Sequence, residues 1–341
     1  EHFRSLSAAR PDAFLPNLGG SLSNLGLRLS DLGRLEEALS AVEEAVEHFR
    51  TLSVIRPDAF LPELATCLNN LGKMLRAMGR REEALSAADE AVALYRSLMS
   101  VRSGAFLPGF ALSLTGLGVV LNELDRGEEA LSVTKEAVAL YRSLSSAQPD
   151  AFLPYIARGL NNLSNALSDF GLQVEALLAM EEAVEHYRSL SAIRPEVFLP
   201  ELAMSLSNLG SSLSAMGYRE EALVATEESV TLRRSQSAMY PDVFLPDLAL
   251  SLNNLGKMLS GLGRRHEALA ATEEAVRTLA PFFLRHPAAF REGMTIITGN
   301  YLKHSKAAGR EPVRELLAPL LEPLGLSLDP SAPPPPAPPG S

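Results

Sequence analysis

The tripeptide Phe-Leu-Pro returns every 46 residues, with its Phe at Phe14, Phe60, Phe106, Phe152, Phe198 and Phe244, and a degraded copy follows at Phe290. No insertion or deletion breaks the register. A fixed period in the range of about 20–50 residues marks a repeat array, in which each unit is one supersecondary element that cannot bury its apolar face alone. By length, 341 residues would suit two ordinary domains. The repeat overrides that estimate, because a solenoid grows by adding units around one continuous core.

The second unit shows what is repeated. Leu64, Ala65, Leu68, Leu71, Gly72, Leu75 and Met78 follow the three-to-four spacing of an amphipathic helix. Gly79-Arg80-Arg81 breaks it. Ala84, Leu85, Ala88, Ala91, Val92, Tyr95 and Leu98 then define a second helix. Arg56 is followed by Pro57, and proline disfavours helix in the residue before it. Pro11, Pro149, Pro195, Pro241 and Pro287 repeat that signal. Pro62 suits a first helical position. Each unit is therefore expected to be a hairpin, with a short turn over Pro57–Leu61, a first helix over about Pro62–Met78 and a second over about Glu82–Val101.

Gly72 and its equivalents Gly26, Gly118, Gly210 and Gly256, with Ser164 in the fourth unit, fall inside the first helix. Glycine there costs about 1 kcal/mol against alanine. The expected return is close approach of the second helix at the small Ala84, so that Gly72→Leu would overpack the hairpin by about 1–3 kcal/mol.

The Leu71-Gly72 pair, the turn Gly79, and Ala84 and Ala91 in the second helix resemble the tetratricopeptide repeat. Leu68, Leu75 and Ala88 stand where that family's pattern has Trp, Tyr and Phe. The longer period, with Pro-Asp ahead of Leu-Asn-Asn-Leu-Gly, is more similar to the kinesin-light-chain-like type and to bacterial arrays of that kind. The resemblance covers about residues 1–280, a partial helix and then six units. It implies an all-α fold, a right-handed α-solenoid of tandem antiparallel helix hairpins. Residues 281–326 keep some register through Pro287, Phe290 and Gly309-Arg310-Glu311, and are expected to form a degenerate seventh unit that caps the array. The stretch 327–341 is proline-rich and expected to be disordered.

Glu1-His2-Phe3-Arg4 repeats Glu47-His48-Phe49-Arg50. The sequence is thus expected to open inside a second helix, as a fragment of a longer protein whose N-terminal cap lies upstream. Long arrays of this type are often attached to nucleotide-binding signalling domains. The resemblance therefore also implies a ligand-sensing C-terminal arm of a larger signalling NTPase as an alternative role. A self-assembling structural solenoid is another.

The resemblance implies a protein-interaction scaffold whose first helices line a concave groove that binds peptides or proteins. Along the first helix one stripe stays polar or changes between units, while the packing positions barely change. In the second unit it comprises Thr66, Asn69, Asn70, Lys73, Arg76 and Ala77. The position of Lys73 reads Leu27, Lys73, Val119, Asn165, Ser211 and Lys257 across the units; that of Arg76 reads Ser30, Arg76, Asn122, Ser168, Ser214 and Ser260. By the resemblance, Asn69, Asn161 and Asn253 would hydrogen-bond a peptide main chain. Lys73, Arg76, Arg158 and Lys257 would meet acidic groups. Asn122 and Asn165 complete the set, and Asp31, Glu123 and Asp169 make the groove mixed in sign. The alternative is a solvated face, with the asparagines satisfied within the stack. On the groove reading, Asn69→Ala with Lys73→Ala should weaken partner binding without lowering the melting temperature. The third unit departs from the rest. Ser103-Gly104 replaces Pro-Asp, Asp125 replaces the turn glycine, and Gly109 and Gly116 enter the first helix, so a local irregularity is expected there.

A net charge of −10 opposes a nucleic-acid-binding role, which calls for a basic stripe. No apolar run approaches the roughly 20 residues of a membrane span. Cys67 is the one cysteine, so no internal disulfide forms and a reducing, cytoplasmic setting is expected. Neither a cofactor nor catalysis is expected. The pairs Glu43-Glu44, Glu82-Glu83, Glu181-Glu182 and Glu273-Glu274 recur as a solvated helix face. His2, His48 and His186 are repeat equivalents without partners at metal spacing. Cys67 reads as a buried inert thiol, and phosphate-loop and nucleophile-elbow motifs are missing.

Overall fold

The structure is a computed structural model and describes residues 3–4, 10–101, 104–146 and 148–325. The helix expected to run through Glu1 and His2, the substitution at Ser103 and the tail at 327–341 lie outside the described residues. Among the described residues the regular structure is fourteen α-helices. The first helices of the hairpins are α1 (Pro11–Asp31), α3 (Pro57–Ala77), α5 (Leu107–Glu123), α7 (Pro149–Asp169), α9 (Pro195–Ala215), α11 (Pro241–Gly261) and α13 (Pro287–Ala307). The second helices are α2 (Leu35–Ile55), α4 (Arg81–Val101), α6 (Gly127–Ser145), α8 (Gln173–Ile193), α10 (Arg219–Met239), α12 (Arg265–Arg285) and the short α14 (Arg314–Leu324). The chain divides into two compact units at Ala179/Met180. Each is an all-α solenoid in which a helix packs on the next in sequence and first helices also touch one another.

The first helix starts five residues earlier than Pro62, at Pro57. The expected turn Pro57–Leu61 is thus the helix's own first turn. Pro57 sits where the backbone N–H would be unpaired in any case. Phe60 anchors that turn. It is buried, its ring lies 6.4 Å from that of Phe49, and the Arg56 guanidinium lies 5.2 Å from its centroid. Pro62 is then inside the helix, where its missing N–H gives up one bond, to the carbonyl of Asp58. The same start recurs at Pro149, Pro195, Pro241 and Pro287. In the third unit α5 begins only at Leu107, and residues 104–106 form a turn.

A left-handed residue closes each first helix: Gly33, Gly79, Gly171, Gly217, Gly263 and Gly309 have φ between 65° and 88°, and Asp125 takes φ 57° in the third unit. After the turn, Ala38, Ala84, Ala130, Ala176, Ala222 and Ala268 are fully buried. The backbone of the second helix comes close to the first here. A Cβ built on Gly210 would lie 2.3 Å from Thr226 Oγ1 and 3.1 Å from the Ala222 carbonyl oxygen. At Gly72 the same Cβ would meet the Ala84 carbonyl at 3.4 Å, ordinary contact. The close approach is therefore to the backbone of Ala84 rather than to its side chain, and the shortest contacts, at Gly26, Gly118, Gly210 and Gly256, are to a β-branched side chain one turn later.

In the second unit the core continues into the last hairpin through Phe283, Met294, Ile297, Tyr301, Leu317 and Leu320. There the Val313 N–H donates to Tyr301 Oη at 2.9 Å.

Candidate interaction surface

Successive units are joined by two sets of polar bonds, one in each helix layer. Between second helices, an arginine of one unit reaches a glutamate 40 residues on. Arg50 meets Glu90 at 2.6 Å, Arg188 meets Glu228 at 2.6 Å, Arg234 meets Glu274 at 2.8 Å, and Arg96 meets Glu136 more loosely at 3.4 Å. Arg4 and Glu44 form the same pair. The recurring glutamates of the second helices thus belong to the scaffold. Beside the looser pair is a recess of about 540 Å³, lined by Asp89, Ala93, Arg96 and Glu129. Burial raises the Asp89 carboxyl above its ordinary value.

Between first helices the bonds run through asparagine. Asn70 Nδ2 donates to Ser23 Oγ at 3.0 Å, Asn254 Nδ2 to Ser207 Oγ at 2.9 Å, and Asn300 Nδ2 to Asn253 Oδ1 at 2.8 Å, each spanning 47 residues. Asn69 Nδ2 donates to Ser113 Oγ at 2.8 Å. Asn161 and Asn253 are each only 4% exposed. The asparagine column therefore lies in the seam between helices, where it holds neighbouring units together. The Asn69→Ala with Lys73→Ala variant is then expected to lose a seam bond and lower the melting temperature, unlike the expectation from the groove reading.

The remaining stripe positions reach solvent. Lys73, Asn165 and Lys257 are exposed at the same register position, and Arg158 is exposed two helix turns away. The Arg158 guanidinium lies 5.4 Å from the Tyr155 ring. Arg76 is exposed but bonds Glu123 of the next unit at 2.7 Å, and Asn122 is half-buried. The structure brings Lys73 and Arg76 together on α3, and puts Lys257 on the second unit's α11.

Two features of the second unit were not singled out from the sequence. The register position of Thr66 carries Met204, Leu250 and Ile296 on α9, α11 and α13, exposed by 45%, 46% and 51%. In addition, α10 is polar at core positions. Ser229, Arg233 and Gln236 are buried where the second repeat has Ala91, Tyr95 and Leu98. Arg233 is 6% exposed. It bonds Asp247 Oδ2 at 3.1 Å and Gln236 Oε1 at 3.2 Å, and lies 5.8 Å from the Phe244 ring. Burial pulls its guanidinium below the ordinary value, against the nearby carboxylates of Asp247 and Glu201. Glu201 Oε2 and Gln236 Nε2 are buried without a hydrogen-bond partner. Column-by-column comparison of the units was the available signal for both features.

Cys67 is buried and its thiol is pushed up by that burial. Among the described residues no cluster of three metal-ligating side chains occurs, and no helix is long and apolar enough to cross a membrane.

Family models described as tetratricopeptide repeat match residues 21–97, 202–235 and 248–279. A model described as anaphase-promoting complex subunit 5 matches residues 146–192. A search of curated proteins found no match. Among solved structures, BtubC (BKLC) from P. vanneervenii is similar over 73% of this chain and 92% of its own, at 19% identity and a TM-score of 0.58. The apo form of RapI is similar over 85% of this chain and 97% of its own, at 12% identity and a TM-score of 0.53. A putative kinesin light chain from Podospora anserina with nearly identical TPR-like repeats covers 65% of this chain and 98% of its own, at 20% identity and a TM-score of 0.49.

Proposed function

With the chain an array of tetratricopeptide repeats, we propose that it is a non-enzymatic scaffold that binds protein or peptide partners along the exposed face of its first helices. The observation that carries this reading is the split between columns. Ala38, Ala84, Ala130, Ala176, Ala222 and Ala268 are one residue type and fully buried. The column of Lys73 varies between Leu27, Lys73, Val119, Asn165, Ser211 and Lys257 and reaches solvent. Packing dictates the first column and leaves the second free for recognition. On this reading the contacting residues are Lys73, Arg76, Asn122, Arg158 and Asn165 in the first compact unit and Lys257 in the other, with the seam residues Asn69 and Asn161, and Asn253, beside them in their own units. Exposed polar positions on a rigid scaffold suit side-chain recognition of a peptide, with Lys73, Arg158 and Lys257 meeting acidic groups.

The test is selection of a random peptide library against the whole chain. Recovered peptides are then measured against a Lys73→Ser, Arg158→Ser, Lys257→Ser variant. Weaker binding at an unchanged melting temperature supports the face. Binding equal to the wild type removes these residues from it, and recovery of no peptide removes the reading.

A further inference from the structure

The column at Met204, Leu250 and Ile296 is not something the fold requires. The same register position holds Gly20, Thr66, Leu112 and Arg158 in other repeats, so the scaffold does not dictate the residue type there and tolerates a small, polar or charged one. Yet α9, α11 and α13 each carry a large apolar side chain about half exposed to water. These helices are neighbours, joined by the Asn254–Ser207 and Asn300–Asn253 bonds. The three side chains therefore line up across the helices rather than along one of them.

One helix turn toward the N-terminus, the first two helices carry Glu201 and Asp247, and the third carries Gly293. Beneath them lies the one guanidinium of Arg233. Two carboxylates against one guanidinium leave a net negative charge. Asp247 is half exposed, with 46% of its side chain open to solvent, and Glu201 Oε2 has no donor. On the opposite side of the column stand the exposed Lys257 and Lys303. The apolar line thus has an acidic edge and a basic edge.

We propose that this face docks an extended partner segment with an apolar side chain at every third residue and lysine or arginine along the edge that meets Glu201 and Asp247. The spacing follows from geometry. Packed helices lie about 8–10 Å apart, and a polyproline-II segment advances about 9 Å per three-residue turn, so one turn spans one helix. A β-strand would turn every third side chain to the opposite face. The inference rests on the proposed peptide-binding role and adds the chemistry of the ligand.

Its test uses peptides recovered from the random library on the whole chain. The expected peptides carry apolar residues three apart and at least one lysine or arginine. Met204→Ser, Leu250→Ser, Ile296→Ser should weaken them about tenfold or more while the melting temperature holds. Replacing the peptide's basic residue by methionine should weaken binding to the unaltered protein and flatten its salt dependence. Peptides without lysine or arginine, or peptides indifferent to the three serine substitutions, would overturn this inference and leave the peptide-binding role standing. Recovery of no peptide would overturn both.

Discussion

Ser164 Oγ donates a 2.7 Å hydrogen bond to the carbonyl oxygen of Ala176, at the register position where five other units carry glycine. The fourth unit fills with a hydroxyl the space that the others leave empty. The bond works because the partner is a carbonyl, the same backbone group that lies 3.4 Å from a Cβ on Gly72 and 3.1 Å from one on Gly210. Ser164→Gly is expected to destabilise the chain by about 1 kcal/mol, through the lost bond and the poorer helix former. Thermal or urea unfolding measures it, and a neutral result would mean the serine is not bonded in solution.

The glycine column is expected to divide. Gly72→Ala meets only ordinary contacts and gains helix propensity, so stability should rise by up to about 1 kcal/mol. Gly210→Ala drives a methyl into Thr226 Oγ1, which is itself bonded to the Ala222 carbonyl at 2.7 Å. Displacing it should cost about 1–3 kcal/mol. Equal effects at the two sites would show that the hairpins pack alike after all.

Asp125 stands alone among the non-glycine residues described in having a positive φ, 57°. A side chain in that conformation costs on the order of 1 kcal/mol. Asp125→Gly, which restores the turn residue of the other units, should raise stability by about that amount. A drop on denaturant titration would mean that the carboxylate makes a contact worth more than the strain.

Arg233 separates two kinds of change. Arg233→Ala empties a buried position and breaks the bond to Asp247, whose half-exposed carboxylate water still reaches, and should cost about 1–3 kcal/mol. Replacing the whole polar set, Ser229→Ala, Arg233→Tyr and Gln236→Leu, copies the second repeat's core. It should lose less than the single variant, because packed apolar side chains refill the core while the half-exposed Asp247 carboxylate turns to water. If the triple variant is as weak as the single one, the polar set contributes to the fold itself.

His304 carries a pH dependence. It is buried with Nδ1 3.4 Å from Thr272 Oγ1, and burial, with Lys303 nearby, lowers its pKa. The unfolded chain therefore takes up a proton at a pH where the folded chain does not. This contribution is full above an unfolded value of about 6.5 and is lost as pH falls toward the lowered folded value. Melting temperatures between neutral and mildly acidic pH should fall, and His304→Met, the residue present at Met74 and Met258, should flatten that fall. An unchanged slope would assign the dependence to other groups.

The hairpin, its turn glycine and its alanine column were legible because each rests on a local rule repeated in register. Two prolines five residues apart, Pro57 and Pro62, left two possible helix starts. Burial of Phe60 against Phe49 decides between them, and that is a contact across 11 positions of chain direction reversal rather than a local preference. The asparagine seam was hidden for a related reason. Asn69 sits between the buried Gly72 and the exposed Lys73 on the helix circumference, at the edge of the buried arc, where a rotation of one residue separates groove from seam. Arg233 was readable in principle, since its column is otherwise aromatic or leucine, but a charge in a helix sequence looks solvated until the neighbouring helices are in place.

The bonds between repeats recur at set separations, 40 residues for arginine to glutamate and, for Asn70, Asn254 and Asn300, 47 from asparagine to its acceptor. A genetic exchange that adds or removes one whole period would rejoin an arginine to a glutamate and an asparagine to an acceptor. Such joints make the array's length easy to change in evolution. The joint around Arg233 is the exception, because it needs Glu201 before it and Asp247 after it. A crossover there would strand a charge, so selection should hold the fifth and sixth units together as an inherited pair while their neighbours multiply or disappear.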